Sequence, residues 1–183
     1  MYREHRAVHH VDVVVGASVY RVFLLANTLQ VDLAFSPAAE FGARAPTFRL
    51  LFGTSVEMPR GKPPAAANLI GIAWLHALHA RSCIERGKVW QAEYMISAVR
   101  DHALALACLR HGLPAVQGRG FDGLPPEVRL GFEGALARTV DPDELRRAFA
   151  VAIEGLMSET RRVEPALAHL LDAPLVLLTR PST

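Results

Sequence analysis

The chain is poor in the features that would place it outside the ordinary globular class. Among its 183 residues only two are cysteines, Cys83 and Cys108. Two thiols in helical patterns exclude a disulfide framework and fit a reducing cytoplasm. No apolar run approaches the roughly 18 residues that span a bilayer, so no membrane segment is expected. Met1 is followed by Tyr2-Arg3-Glu4-His5-Arg6 with no apolar stretch behind it, and a secretory signal is not expected either. Basic and acidic residues nearly balance, 20 Lys plus Arg against 18 Asp plus Glu for a net charge of +2. With no Lys/Arg-rich run, nothing in the charge argues for nucleic acid. Internal repeats and low-complexity tracts are absent. At 51% hydrophobic and 21% charged residues, disorder and coiled coil are excluded. The length gives room for one large or two small domains that fold without disulfide or structural metal.

Within those bounds the chain has two textures. Residues 8 to 35 predict strands, because β-branched and aromatic residues recur in short runs cut by turn formers. Val11-Asp12-Val13-Val14-Val15 is followed by the turn Gly16-Ala17-Ser18, then by Val19-Tyr20-Arg21-Val22-Phe23-Leu24-Leu25. Ala26-Asn27-Thr28 makes a second turn before Leu29-Gln30-Val31-Asp32-Leu33-Ala34-Phe35. Short connections favour an antiparallel meander. Proline and glycine then interrupt residues 36 to 64, a linker with one short apolar piece at Phe48 to Phe52. From Ala65 the periodicity changes from 2 to 3.6. Helices are predicted over Ala65 to Arg86, stopping at Gly87, and over Val89 to His111, stopping at Gly112-Leu113-Pro114. Their short connection makes them antiparallel neighbours. A glycine-rich loop follows, then a shorter helix over Pro125 to Arg138. Asp141 as N-cap, Pro142 at the first helical position and Glu144 three residues beyond the cap start another helix, which buries Leu145, Phe149, Ile153 and Leu156. Pro165 ends it, and Ala166 to Thr179 is expected to dock as a short helix plus an extended Leu175 to Leu178. The fold class is α+β, a small antiparallel sheet followed by a C-terminal helical bundle, with boundaries at 1–60 and 65–183.

Chemistry-bearing residues are sparse. Asp32 sits among apolar neighbours in a strand, on the opposite face from Val31 and Leu33, and a carboxylate there is costly to bury without a cation or donors. Asp12, in a similar pattern, is expected to lie across the sheet from it, and two such carboxylates would suit Mg²⁺. In the second long helix Trp90, Glu93, Ser97 and Arg100 follow at spacings of three, four and three, lining one face. Such a face could present a carboxylate base and a cation to a cleft. The plain alternative is a solvated face held by a Glu93 to Ser97 contact. Met95, Val99, His102, Leu106 and Leu109 form the core stripe. His76, His79 and Cys83 share a helix face but have no evident fourth ligand, so packing is favoured over a metal site. Gly118, Gly120 and Gly123 neither follow a strand nor open a helix, which argues against a phosphate loop.

On Tyr20 to Leu25, Leu29 to Phe35, Phe41-Gly42-Ala43-Arg44, Phe48 to Gly53, and Trp90-Gln91-Ala92-Glu93-Tyr94-Met95-Ile96 with Val99-Arg100-Asp101, the chain resembles the nucleotidyltransferases of the DNA polymerase beta superfamily. Within it the likeness is to the kanamycin-, lincosamide- and streptomycin-type antibiotic nucleotidyltransferases of bacteria. That family carries a Gly-Ser pair, then a strand with Asp-x-Asp, then a third acidic residue on a later strand. Asp32 matches the third position. No Gly-Ser followed by Asp-x-Asp stands upstream: Gly16-Ala17-Ser18 lies in a turn, and Asp12 is followed by Val13-Val14. The bundle accounts for about 115 residues, and the roughly 60 before it fall short of the about 100 to 150 of a typical domain. The expectation is a complete helical domain attached to the last part of a catalytic one, beginning after the family's first catalytic elements.

The resemblance implies in-line attack of a small-molecule hydroxyl, such as one on an aminoglycoside, on the α-phosphorus of ATP or another NTP. It makes Asp32 a Mg²⁺ ligand or activator of the hydroxyl and Glu93 the base or a substrate anchor. Trp90, Ser97 and Arg100 become substrate-binding residues, with Trp90 stacking and Arg100 pairing with a carboxylate or phosphate. Two Mg²⁺ ions need several carboxylates, and Asp32 alone cannot hold them. An impaired enzyme and a non-catalytic binding protein on the same scaffold, antitoxin-like or a remnant paralogue, are therefore both retained. Neither membrane nor nucleic acid is an expected partner, and the bundle would supply homodimer contacts. An aminoglycoside would favour a cleft rich in carboxylates, but the sequence does not place Glu85, Glu93, Asp101 and Asp122 relative to one another. A helical nuclease of the HEPN type ranks third. Its Arg and His, with four to six residues between them on one helix, have no counterpart in 65–86 or 89–111; Arg162 and His169 have that spacing, but Pro165 stands between them.

Overall fold

The computed structural model describes residues 6–59 and 61–180. Three strands, β1 (Ala7–Val15), β2 (Ser18–Leu25) and β3 (Gln30–Phe35), form an antiparallel sheet in that order. The first hairpin turns through Gly16-Ala17, where Gly16 takes the positive φ of +59° that a two-residue connection needs. The second turns through Ala26-Asn27-Thr28. Here the β-branched Thr28 is forced to φ 68°, an uncommon conformation for such a residue. The turn is closed by the Leu25 amide donating to the Leu29 carbonyl at 2.9 Å and the Leu29 amide donating to Asn27 Oδ1 at 3.2 Å. Among the strand residues only Ser18 and Phe23 are buried. A short 3-10 turn at Ala38–Glu40 follows, and the described residues of the proline- and glycine-broken stretch up to residue 65 form no further regular element.

Five helices complete an α+β arrangement: α1 (Ala66–Glu85), α2 (Val89–Arg110), α3 (Pro126–Glu133), α4 (Pro142–Val163) and α5 (Pro165–Leu178). The chain divides into two units, residues 1–62 and 63–183. Glycine ends α1 and α2 by the same device. Gly87 and Gly112 sit at φ 66° and 67°, and the next amides, of Lys88 and Leu113, donate back to the carbonyls of Cys83 and Cys108 at 2.8 Å. This left-handed cap satisfies carbonyls that a helix end otherwise leaves open. In the helical unit α2 and α4 are central: α2 packs on α1 and α4, and α4 also meets α1, α3 and α5. Ile70, Ile96, Val99, Leu106, Leu145, Phe149, Leu156 and Met157 fill the interior, each large side chain contributing about 1.5–3 kcal/mol by leaving water. From Ala103 to Cys108 every residue of α2 is buried.

Three local expectations are corrected. The helix predicted over 125–138 ends at Glu133, because Arg147 on α4 draws the Gly134 and Leu136 carbonyls outward, at 2.6 and 3.0 Å. At the start of α4, Asp141 Oδ1 accepts from the Asp143 and Glu144 amides at 2.9 and 3.4 Å, as an N-cap should. Glu144 does not return to the cap; it accepts from the Arg138 amide at 3.0 Å and pairs with Arg147 at 2.6 Å. The tail holds no extended segment: α5 continues through Pro174 to Leu178. Buried Ala168 and Leu175, seven residues apart on one face, fasten it. Among the described residues no helix is long and apolar enough to cross a membrane.

Candidate functional site

Cross-strand pairing fixes where the strand carboxylates point. Asp32 pairs with Val22 and Val22 with Val11, so these three share a face. Asp12 pairs with Arg21 and Arg21 with Leu33, on the other face. The expected Asp12–Asp32 metal pair is thereby overturned, since neighbouring residues of a strand alternate sides. Asp12 is also engaged: Arg21 donates to its two oxygens at 2.7 and 2.6 Å and holds its carboxyl below the usual range. Asp32 is exposed, and among the described residues only the Gln30 amide donates to it, at 2.9 and 3.1 Å. Among the described residues no three His, Cys, Asp or Glu side chains are grouped so as to hold a metal ion. A single carboxylate beside an amide does not fit the two-Mg²⁺ arrangement of phosphoryl transfer.

On α2 the spacing of the four chosen residues is realised as one face, but its members divide in their contacts. Ser97 Oγ donates to Glu93 Oε1 at 2.7 Å, and both residues are half-buried. The carboxylate of Glu93 is thus held in one orientation with its other oxygen uncommitted by that bond. Trp90, one turn before, is 77% exposed and offers an open indole surface. Arg100 turns away to Asp101, with N–O distances of 2.9 and 2.8 Å.

No protein-family model and no curated protein matches this chain.

Arg100 and Asp101 border a cavity of about 340 Å³ formed by α2, α3 and the 3-10 turn Phe121–Gly123. Asp122 also reaches it, so of Glu85, Glu93, Asp101 and Asp122 two converge there. Of the others, Glu93 stays with Ser97 and Glu85 is paired with Arg81 at 2.7 Å. Asp101 and Phe121 also line a second cavity of about 370 Å³, together with His102 and Gln117. Gln117 is held at φ 55° there. Gly120 is needed beside it, since a Cβ would lie 2.4 Å from the Pro114 carbonyl oxygen and 3.0 Å from Cys108 Sγ.

Of the α1 histidines, His79 is exposed and His76 is half-buried. His76 stacks obliquely on His102 with ring centroids 5.3 Å apart, and its Nδ1 is buried without a hydrogen-bond partner among the described residues. Burial, then the neighbouring His102 and His79, lowers its proton affinity. His102 Nδ1 lies 2.7 Å from the Ala98 carbonyl, which can only accept, so the proton is on that nitrogen. Arg162 and His169 fall on different helices, and Arg162 is bound to Glu159 at 2.6 Å, which removes the nuclease pairing. His5 lies outside the described residues, while His10 stacks against Phe23 in the sheet.

Two groups of residues went unselected by sequence reasoning. Arg129, Phe132 and Glu133 line the first cavity from α3, a helix too short for a clear pattern. Glu159 is buried to 1% on α4, where it accepts from Arg110 at 2.9 and 3.0 Å and from Arg162 at 2.6 Å. Its signal was present: it continues the four- and three-residue spacing of the buried stripe that runs through Ile153 and Leu156.

Proposed function

We propose that the protein is nucleotidyltransferase-like, acting on the hydroxyl of a small molecule such as an aminoglycoside with ATP or another NTP as donor. The Glu93–Ser97 arrangement carries this reading. A carboxylate fixed by a hydroxyl, half-withdrawn from water and flanked by an open indole, has the form of a base that receives a proton from an acceptor hydroxyl. As that oxygen bonds to the α-phosphorus, the bond to the pyrophosphate oxygen breaks, and the hydroxyl proton passes to Glu93. Ser97 positions the carboxylate, Trp90 offers a stacking surface, and Arg100, one turn further along α2, would have to leave Asp101 to meet a substrate anion. Asp32 is the residue assigned to Mg²⁺ in this reading. The family's metal pair requires carboxylates beyond it, so no step is drawn through the metal. Buried free thiols at Cys83 and Cys108 suit a cytoplasmic location, and contacts between copies are assigned to the helical unit.

A second reading, a non-catalytic binding protein on the same scaffold, is favoured by one observation: among the described strand residues Asp32 stands without a second carboxylate on its face. Calorimetric titration of the whole chain with ATP and Mg²⁺, followed by an assay of labelled nucleotide transfer to an aminoglycoside, separates the two. Saturable binding and transfer that falls by about 10²-fold or more in E93Q supports the enzyme. Transfer undiminished in E93Q removes Glu93 from its role, and no nucleotide binding leaves the binding-protein reading.

A further inference from the structure

Beside Arg100, the cavity between α2, α3 and the Phe121–Gly123 turn carries charged groups that the transfer reading does not use. Its floor is apolar: Phe132 and Leu104 are 6% and 8% exposed, and Phe121 packs beside them. Its rim carries charges of both signs. The pair Arg100–Asp101 is internally neutralised at 2.8 Å. The side chains of Asp122, Arg129 and Glu133 are exposed and have no ion pair or hydrogen bond among the described residues. Arg129 and Glu133 are one helical turn apart, the spacing at which opposite charges on a helix usually meet, yet they remain separate. One uncommitted guanidinium and two uncommitted carboxylates therefore surround an aromatic and aliphatic floor of about 340 Å³, the lower end of the range for small-molecule sites.

The geometry points to a binding site for a free α-amino acid with a large apolar side chain. Each part of such a molecule has a counterpart. Its α-carboxylate suits the planar fork of Arg129, its ammonium suits Asp122 and Glu133, and its side chain covers Phe132 and Leu104. A purely cationic ligand would leave Arg129 facing positive charge, and a purely anionic one would meet two carboxylates. The site lies wholly within the helical unit and does not depend on the transfer reaction.

Titration calorimetry and thermal shift of the full chain with three probes test this: L-phenylalanine, 2-phenylethylamine with the ammonium alone, and 3-phenylpropionate with the carboxylate alone. For a twelve-atom ligand, a dissociation constant on the order of 1 mM is expected for L-phenylalanine, with each singly charged analogue at least about tenfold weaker. R129Q and the double variant D122N/E133Q alter exposed side chains and should retain the native circular dichroism while each weakening L-phenylalanine by about tenfold or more. Absence of saturable L-phenylalanine binding overturns the proposal. So does equal binding of either analogue, or unchanged affinity in R129Q.

Discussion

Removing the Glu159 carboxylate tests how the helical unit tolerates its one deeply buried acid. Three guanidinium contacts, at 2.9, 3.0 and 2.6 Å, converge on a side chain that is 2% exposed. Their donors differ in access to water: the Arg110 side chain is 27% exposed and that of Arg162 is 51%. Loss of one partner of a buried ion pair costs about 3–5 kcal/mol when the remaining charge stays buried. Arg162 is open enough to be rehydrated, and Arg110 partly so, which places E159A near the low end, about 3 kcal/mol. E159Q keeps the shape and one acceptor oxygen, and about 1–2 kcal/mol is expected, the difference between charge-assisted and neutral hydrogen bonds. R162A, removing the more exposed contact, should cost under about 1 kcal/mol. Thermal denaturation followed by the helical signal at 222 nm provides the assay. At about 2–4 °C per kcal/mol, E159A should lower the midpoint by roughly 6–12 °C and E159Q by roughly 2–8 °C. A shift for E159A below about 2 °C would refute the reasoning, because it would mean that both arginines find equivalent solvation without the carboxylate.

Two further outcomes follow from local geometry. Arg147, and next the Arg138 amide, depress the Glu144 carboxyl from 4.5 to about 2. Its stabilisation is complete above the unfolded value near 4.5 and is lost as the pH falls toward 2; the acid limb of the melting curve should flatten over that window in E144Q, and identical acid limbs would exclude the contact. At Gly155 a Cβ would stand 2.3 Å from Cε1 of Phe132, so G155A should destabilise by about 1–3 kcal/mol and disturb the near-ultraviolet aromatic signal. An unaltered melt would show that the ring yields freely.

The sheet and the long helices were legible because each rested on a repeated signal with a punctuating residue. Alternation ended by Gly16-Ala17 placed the first hairpin, and helical periodicity ended by Gly87 and Gly112 placed the α1–α2 pair. Errors arose where a distant side chain decided the matter. Nothing in residues 125–138 announces that Arg147 will capture the Gly134 and Leu136 carbonyls, and nothing in the tail announces that buried Leu175 will keep the chain helical beyond Pro174. At the candidate sites, spacing placed Trp90, Glu93, Ser97 and Arg100 on one helix face. It could not foresee that Arg100 would choose Asp101 over its neighbours on that face. For the strand carboxylates, the register through Val22 was the missing quantity: it puts Asp32 on one face and Asp12 on the other.

The strands bury little more than Phe23 and Ser18, and this has a consequence for any calorimetric description of the protein. Heat capacity change and denaturant slope both scale with the surface that unfolding newly uncovers. Strands whose apolar groups already face water add little to either. The heat absorbed by the full chain therefore reports chiefly on the helices, and the sheet can lose its order with scarcely a calorimetric trace. Its integrity has to be read locally, by amide exchange along β2 or by an optical probe at Tyr20.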